Sequence, residues 1–460
     1  MPRRPNALAR HWRATPLARV LSPMQRFVHA EASSGLSLIG ATVMALILAN
    51  SPLAASYAAV LQLELGVNLG PLNLQLSLLH WVNDGLMALF FFLVGLELKR
   101  EVLVGELAHP RQALLPVVAA LGGATLPALL YATVNRGGPG AVGWGVPMAT
   151  DIAFALGVLT LLGRRVPWAL KVFLTAVAVI DDLFAVLVIA LFYTSSLNFG
   201  ALGIGLGVLA LLAVVNRLGI RTLTVYAVLG LIVWIAFLES GVHATIAGVL
   251  VAFTIPARNR IAPATFLDQA RQLLAQFHAG CPPDEWTLHP NASQASTVLA
   301  LEAACVAVQS PLQQLEVRLQ PWVAFGIMPL FALANADIAL TAEGLSGAGQ
   351  PVVLGVVLGL VLGKPIGLFV STWLAVRLGL AHLPEGVRWR QLGGVGCLAG
   401  MGFTMSLFIA TLGFTEPLLL AAAKLGILVA SVTAGILGYG VLWLVATRLE
   451  DGDIQGFQNY

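Results

Sequence analysis

Apolar runs recur along almost the whole chain, near residues 35–57, 78–98, 112–134, 142–162, 168–193, 198–215, 222–238, 241–256, 321–340, 352–376, 391–414 and 417–447. Most of them approach the roughly 20 residues that a helix needs to cross the hydrocarbon of a bilayer. Inside that hydrocarbon every backbone N–H and C=O must be satisfied within the protein, and continuous apolar runs of this length do so as helices. Composition agrees, because 58% of the 460 residues are hydrophobic and only 10% are charged, against about 25% charged in a soluble domain. The mean hydropathy is +0.87. An all-α polytopic membrane protein of about twelve transmembrane helices is predicted.

Positive charge orients such helices, since cytoplasmic loops carry the excess of Lys and Arg. Arg3, Arg4, Arg10, Arg13, Arg19 and Arg26 precede the first run, and Lys99, Arg100 and Arg111 separate the second from the third. The later basic loops hold Arg164, Arg165 and Lys171, then Arg217 and Arg221, then Arg258, Arg260, Arg271 and Arg318, then Arg377, Arg388 and Arg390, with Arg448 after the last run. Only Arg136, Lys364 and Lys424 of the 25 basic residues fall outside this alternation. The pattern predicts an even number of spans with both termini in the cytoplasm. The basic lead followed by Leu36 to Ala49 has the outline of a signal peptide, but no A-x-A site follows, so it reads as an uncleaved first span.

This divides the chain into a cytoplasmic N-terminal segment (1–32), helices one to eight (33–256), a cytoplasmic loop insert (257–320), helices nine to twelve (321–447) and a cytoplasmic tail (448–460). The insert holds Pro282-Pro283, Asp284, Glu285 and an amphipathic stretch from Phe266 to Phe277. Its Asn291-Ala292-Ser293 triplet matches a glycosylation acceptor by chance, given its cytoplasmic side. Cys281, Cys305 and Cys397 show no metal spacing and no disulfide framework. A multi-pass protein of an inner membrane is expected.

The third to fifth runs start from the inside at Arg111, whereas the tenth to twelfth start from the outside, as an inverted-topology repeat requires. The middle member of each triplet is broken by Gly, Pro and small polar residues: Gly143 to Asp151 with Pro147 in the fourth, and Gly393 to Thr404 with Gly396, Gly400 and Gly402 in the eleventh. Pro removes a helix donor and Gly permits unwound backbone. Both runs are therefore candidates for discontinuous helices whose ends meet near the midplane, where transporters of this plan bind their cargo.

Most acidic residues lie in loops or near span ends, but Asp84, Glu97, Asp151, Asp181 and Asp182 fall within or at the edge of apolar runs. A charge at the centre of a membrane helix costs roughly 2.5–3.5 kcal/mol on insertion scales, so the adjacent Asp181 and Asp182 call for a function or a partner. Successive helix residues diverge by about 100°, so one carboxylate faces an ion path while its neighbour faces another helix. Lys364, deep in the tenth run, has no counterion nearby in sequence and should pair with one of them. Asp151 and Thr150 lie at the break of the fourth run, where a carboxylate either offsets converging helix N-termini or ligates an ion, and where Thr150 either joins the ion site or bonds its own helix. Carboxylate, hydroxyl and carbonyl oxygens suit a small alkali cation, and no His or Cys cluster suggests a softer metal. His243, at a run end, reads as a buried or interfacial structural histidine.

These residues carry a resemblance. Trp81 to Met87 around Asp84, Phe92 to Glu101 around Glu97, Ala149 to Gly157, Val179 to Leu183, Ser240 to Thr245, Leu362 to Gly367, Ala381 to Gly386 and Gly402 to Ser406 together resemble the NhaA-type bacterial Na+/H+ antiporters, in order along about Ser33 to Thr447. That family is itself a standard example of the inverted-repeat plan. The resemblance implies twelve helices, a core of triplets three to five and ten to twelve against an interface domain, and a homodimer. It implies Asp181 and Asp182 as the shared Na+(Li+)/H+ site, Asp182 as main cation ligand, Asp181 as partner of Lys364, Thr150 and Asp151 at the helix crossing, and Asp84 in an external funnel. Glu97, Glu316 and His243 match positions tied to pH regulation. The chain departs from the family around Glu316, in its long insert, and at Phe184.

The expectation is an electrogenic antiporter of the bacterial inner membrane that expels sodium for external protons, with Na+, Li+, H+ and lipid as partners, no cofactor and no nucleic acid. Two further readings are a Na+-coupled organic-anion symporter of the same fold and an intramembrane aspartyl protease. The second lacks a Gly-x-Gly-Asp motif.

Overall fold

The computed structural model describes residues 31–69, 72–194, 197–279, 292–338 and 350–445. Among these, seven helices are long and apolar enough to cross a membrane, and three further pairs of segments meet the same test across a bend.

The first bent pair revises the expected first run. Helix α1 (Glu31–Ala49) stops at Ala49 and the chain turns by 117° into α2 (Ala54–Leu61). Pro52 cannot extend the helical ladder, and Asn50 and Ser51 supply the bonds that hold the turn. Ser51 Oγ donates to Leu48 O at 3.0 Å and accepts from Leu53 N at 3.2 Å, while Asn50 Nδ2 donates to Ile338 O at 2.9 Å. A β-hairpin unforeseen in the hydropathy pattern follows, β1 (Glu64–Leu69) antiparallel to β2 (Leu72–Ser77), with Glu64 opposite Ser77.

A π-helical turn at Trp81–Leu86 then leads into α3 (Met87–Val104). Helix α4 (Pro110–Val134) is followed by a 3₁₀ run at Pro139–Met148 and by α5 (Ile152–Leu161), which meet at 45° across Ala149 to Asp151. Next come α6 (Trp168–Phe192), α7 (Phe199–Arg217) and α8 (Leu223–Ser240). Gly241, at φ 78°, ends α8 in the left-handed conformation that glycine tolerates. This turn leaves α9 (Ala244–Thr254) with 11 residues, shorter than the expected run.

The expected insert is largely helical. Helices α10 (Pro263–Ala279) and α11 (Ala292–Val308) pack together, while Cys281, Pro282, Pro283, Asp284, Glu285 and Asn291 lie outside the described residues. Helix α12 (Pro311–Trp322) also begins inside it, because Ser310 caps it by accepting from Gln313 N at 3.2 Å and Pro311 occupies the first turn. It continues through a π-turn at Val323–Ile327 into α13 (Met328–Asn335), so this helix starts and ends earlier than the apolar run suggests. Helix α14 (Gln350–Leu358) passes through a third π-turn at Gly359–Gly363 into α15 (Lys364–Arg377). Helices α16 (Trp389–Ala399) and α17 (Phe403–Gly413) meet at 43°, and α18 (Pro417–Val445) closes the described chain.

Two groups of helices emerge, each built on a glycine-mediated approach of backbones. In one, α3 packs on α9 with α7, α8 and α13 nearby; a Cβ on Gly248 would lie 2.2 Å from Ala88 O. In the other, α4 packs on α15 with α6, α14, α16, α17 and α18; a Cβ on Gly367 would lie 2.2 Å from Gly122 O. The groups meet where α1 packs on α5 and where Phe91 and Phe331 face Phe408 at ring distances of 5.4 and 6.1 Å.

Candidate functional site

The two bends touch each other. Asp151 N donates to Met401 O at 2.7 Å, and Thr150 Oγ1 donates to Ala399 O at 2.9 Å. Asp151 caps α5 by accepting from Phe154 N at 3.1 Å with Oδ1. Its Oδ2 accepts from Thr404 N at 3.0 Å and from the Thr404 hydroxyl, at the start of α17. One buried carboxylate therefore faces two converging helix starts, which carry partial positive charge.

The opposite polarity is met by Lys364. Its Nζ donates to Met148 O, at the end of the 3₁₀ run, and lies 2.7 Å from Asp181 Oδ2. Thr150 Oγ1 also contacts that carboxylate oxygen at 2.8 Å. Lys364, Asp181, Asp182, Thr150 and Asp151 are all buried. Of the expected residues, these five form one cluster, assembled from α6, α15 and the break before α5.

Asp182 differs from its neighbour. Both of its carboxylate oxygens are buried without a hydrogen-bond partner, as is Asp181 Oδ1. It lies within electrostatic reach of the like charges of Asp181, Asp151 and Glu97 and of the opposing charge of Lys364. The angular divergence of successive helix residues produces this difference, turning Asp181 toward α15 and leaving Asp182 open to a different partner. Among the described residues no group of three His, Cys, Asp or Glu side chains gathers as a metal centre.

The other expected residues lie apart. Asp84, in the π-turn before α3, is half-buried within electrostatic reach of His80 and His243, and its backbone carbonyl accepts from Trp234 Nε1 at 3.0 Å. His243 precedes α9, with Nε2 2.9 Å from Tyr193 O at the end of α6. At the other end of α3, Arg100 joins three carboxylates, 3.9 Å from Glu97, 2.9 Å from Glu101 and 2.5 Å from Glu316 on α12. Lys99 donates to Phe253 O and Ile255 O, at 2.7 and 2.5 Å, completing the carbonyls at the end of α9.

Thr404 and Asp337 carry interactions but are not among the site residues expected from the sequence. Thr404 was visible as the polar end of the broken eleventh run. Asp337 lies in the ninth apolar run, and its partner is Lys424, the basic residue left without a loop. Matching these two leftover charges was a signal available in the sequence.

A family model described as "Na+/H+ antiporter 1" matches residues 25–442. The chain is 51% identical over 424 residues to the Na(+)/H(+) antiporter NhaA of Oleidesulfovibrio alaskensis, covering 92% of this chain and 94% of the relative. The NhaA of Syntrophobacter fumaroxidans is 50% identical, with 94% and 92% covered, and that of Acidithiobacillus ferrooxidans is 48% identical, with 95% and 100% covered. With the paired aspartates, the crossed helix breaks and similarity along nearly its full length, the chain belongs to the NhaA family of Na+/H+ antiporters.

Proposed function

We propose that the chain exchanges Na+ or Li+ for H+ across a bacterial inner membrane, with cation and protons competing for Asp182 and Asp181. The observation that carries this reading is the contrast within the pair: Asp181 is engaged by Lys364 and Thr150, whereas both oxygens of buried Asp182 lack a partner. A dehydrated small cation offers such a carboxylate the charge that the protein withholds, and a proton offers the same neutralisation. Asp182 is then the main cation ligand, with Asp181, Thr150 and Asp151 near it.

The group around α4 and α15 moves against the group around α3 and α9, presenting the carboxylates to one side and then the other. When Na+ draws Asp181 away from Lys364, the lysine sheds a proton as well, so more protons than cations move per cycle and exchange is electrogenic. Twelve spans, discontinuous fourth and eleventh helices, cytoplasmic termini and a homodimer complete the reading. The two bends at 45° and 43°, and the alternation of basic loops, support it. Asp84 lines the external funnel, and Glu97, Glu316 and His243 tune the response to pH. A protease reading finds no support here, because Asp181 is held by a lysine rather than sharing a water with Asp182.

The test uses everted membrane vesicles with a respiratory pH gradient reported by a quenched dye. Addition of Na+ or Li+ should restore fluorescence at neutral to alkaline pH. No restoration across that range overturns the assignment.

A further inference from the structure

One buried cation stands outside the site described above. Lys424 is 8% exposed on α18, and its Nζ pairs with Asp337 Oδ1, two residues past the end of α13. The two ends of this pair belong to different helix groups. Helix α18 packs on α14, α16 and α17, whereas α13 packs mainly on α1.

Each partner is fastened within its own group. Asp337 sits between two anchors: the Tyr57 hydroxyl donates to Leu333 O, and Asn50 Nδ2 donates to Ile338 O at 2.9 Å. Lys424 is held along its buried stem on α18. The Asp337 side chain remains 41% exposed against 10% for Lys424, so the pair sits at the edge of the contact between the groups rather than in a closed core. A second polar contact, His243 Nε2 to Tyr193 O at 2.9 Å, joins α9 of one group to α6 of the other. Phe331 against Phe408 makes the apolar contact between α13 and α17.

Both partners lie toward the ends of their helices that the basic-loop pattern places outside. Lys424 is seven residues into α18 from Pro417, about 10 Å by the rise of a helix. Movement of one group away from the other at this end must therefore break the pair. We infer that Asp337 and Lys424 form a latch that closes the outer mouth in the conformation seen here, and that each exchange cycle requires it to open. This inference rests on the alternating-access reading.

The test cross-links the latch in the full chain reconstituted in proteoliposomes, with Cys281, Cys305 and Cys397 changed to Ser and with Asp337→Cys and Lys424→Cys introduced. A short bifunctional methanethiosulfonate should lower Na+-driven proton flux about tenfold or more, and dithiothreitol should restore it. Exchange that persists at the unlinked rate after complete cross-linking overturns the latch alone, provided that the wild-type chain exchanges. A wild-type chain without exchange overturns the antiporter reading and the latch with it. A second measurement avoids cysteines altogether. Asp337→Asn and Lys424→Gln should each raise the apparent Michaelis constant for Na+ on the inner side about fivefold, and the double substitution should add nothing further. Fully additive effects, or no effect from either, overturn the proposal.

Discussion

Lys364 Nζ lies 2.7 Å from Asp181 Oδ2 with both side chains wholly buried, and the same ammonium donates to Met148 O. A buried ion pair is weak evidence of net stabilisation, but removing one partner is severe, because the other charge is left uncompensated. The pair thus has a double aspect: it neutralises a helix C-terminus and it withholds one carboxylate of Asp181–Asp182 from solution. The following outcomes are expected.

Asp182→Asn should abolish Na+- and Li+-driven proton flux in vesicles while leaving the chain expressed and folded. The side chain it replaces has no hydrogen bond to lose, so thermal stability should change little. Wild-type exchange in this variant would show that cation binding lies elsewhere.

Lys364→Ala should lower thermal stability by roughly 3–5 kcal/mol, the cost of stranding a buried charge. It should also alter the coupling of protons to cations, so that a valinomycin-clamped membrane potential changes the exchange rate less than in the wild-type chain. Unchanged stability together with unchanged potential dependence would contradict both roles.

Asp151→Ala should cost about 1–3 kcal/mol for each buried donor left unsatisfied, and two helix starts lose theirs together at Phe154 N and Thr404 N. Asp151→Asn retains one acceptor oxygen and should lose less. Thermal unfolding in detergent of the two variants, with Thr404→Val beside them, orders these effects. Equal losses for Ala and Asn would argue that the charge, not the capping, is what matters.

Gly248→Ala places a Cβ 2.2 Å from Ala88 O and 2.9 Å from Phe92 N, both backbone atoms that cannot swing aside. Forcing α9 from α3 should cost about 1–3 kcal/mol. Gly203→Ala, with nothing within 4 Å, is the control and should be neutral or stabilising. A melting temperature that holds or rises equally in both would indicate that helix propensity rather than close approach governs the result.

Glu316→Gln removes the negative charge from the 2.5 Å contact that ties α12 to Arg100 on α3. Arg100 is 39% exposed, so screening limits the stability effect to about 1 kcal/mol or less. The pH at which exchange begins should nevertheless move, measured as the profile of Na+-induced dequenching. An unmoved profile would leave this cluster as a structural tie between helix ends.

Much of the architecture is legible in the residue pattern because bilayer thickness imposes a length on a spanning helix, and because Pro147, Gly400 and Gly402 mark where two pairs of helical segments meet at a bend. Boundaries were less legible. Helix α12 begins in a polar stretch because Ser310 and Pro311 start it locally, whereas hydropathy reports only the apolar part that follows. The first run ends early for a similar reason, since Asn50, Ser51 and Pro52 form a bonded turn within apolar surroundings.

The sequence by itself determined the chemical inventory: acids and lysines set within apolar runs, two broken segments, and an aspartate pair whose side chains must diverge because successive helix residues are about 100° apart. Which aspartate meets Lys364, that one carboxylate caps two helix starts, and that Asp337 meets Lys424 were decided by tertiary structure. The physical reason is the same in each case. Hydropathy and spacing specify what a helix buries, but not its rotation about its own axis or which distant helix end lies beside it. Those follow from the close glycine contacts at Gly248 and Gly367, which are made only when the helices pack.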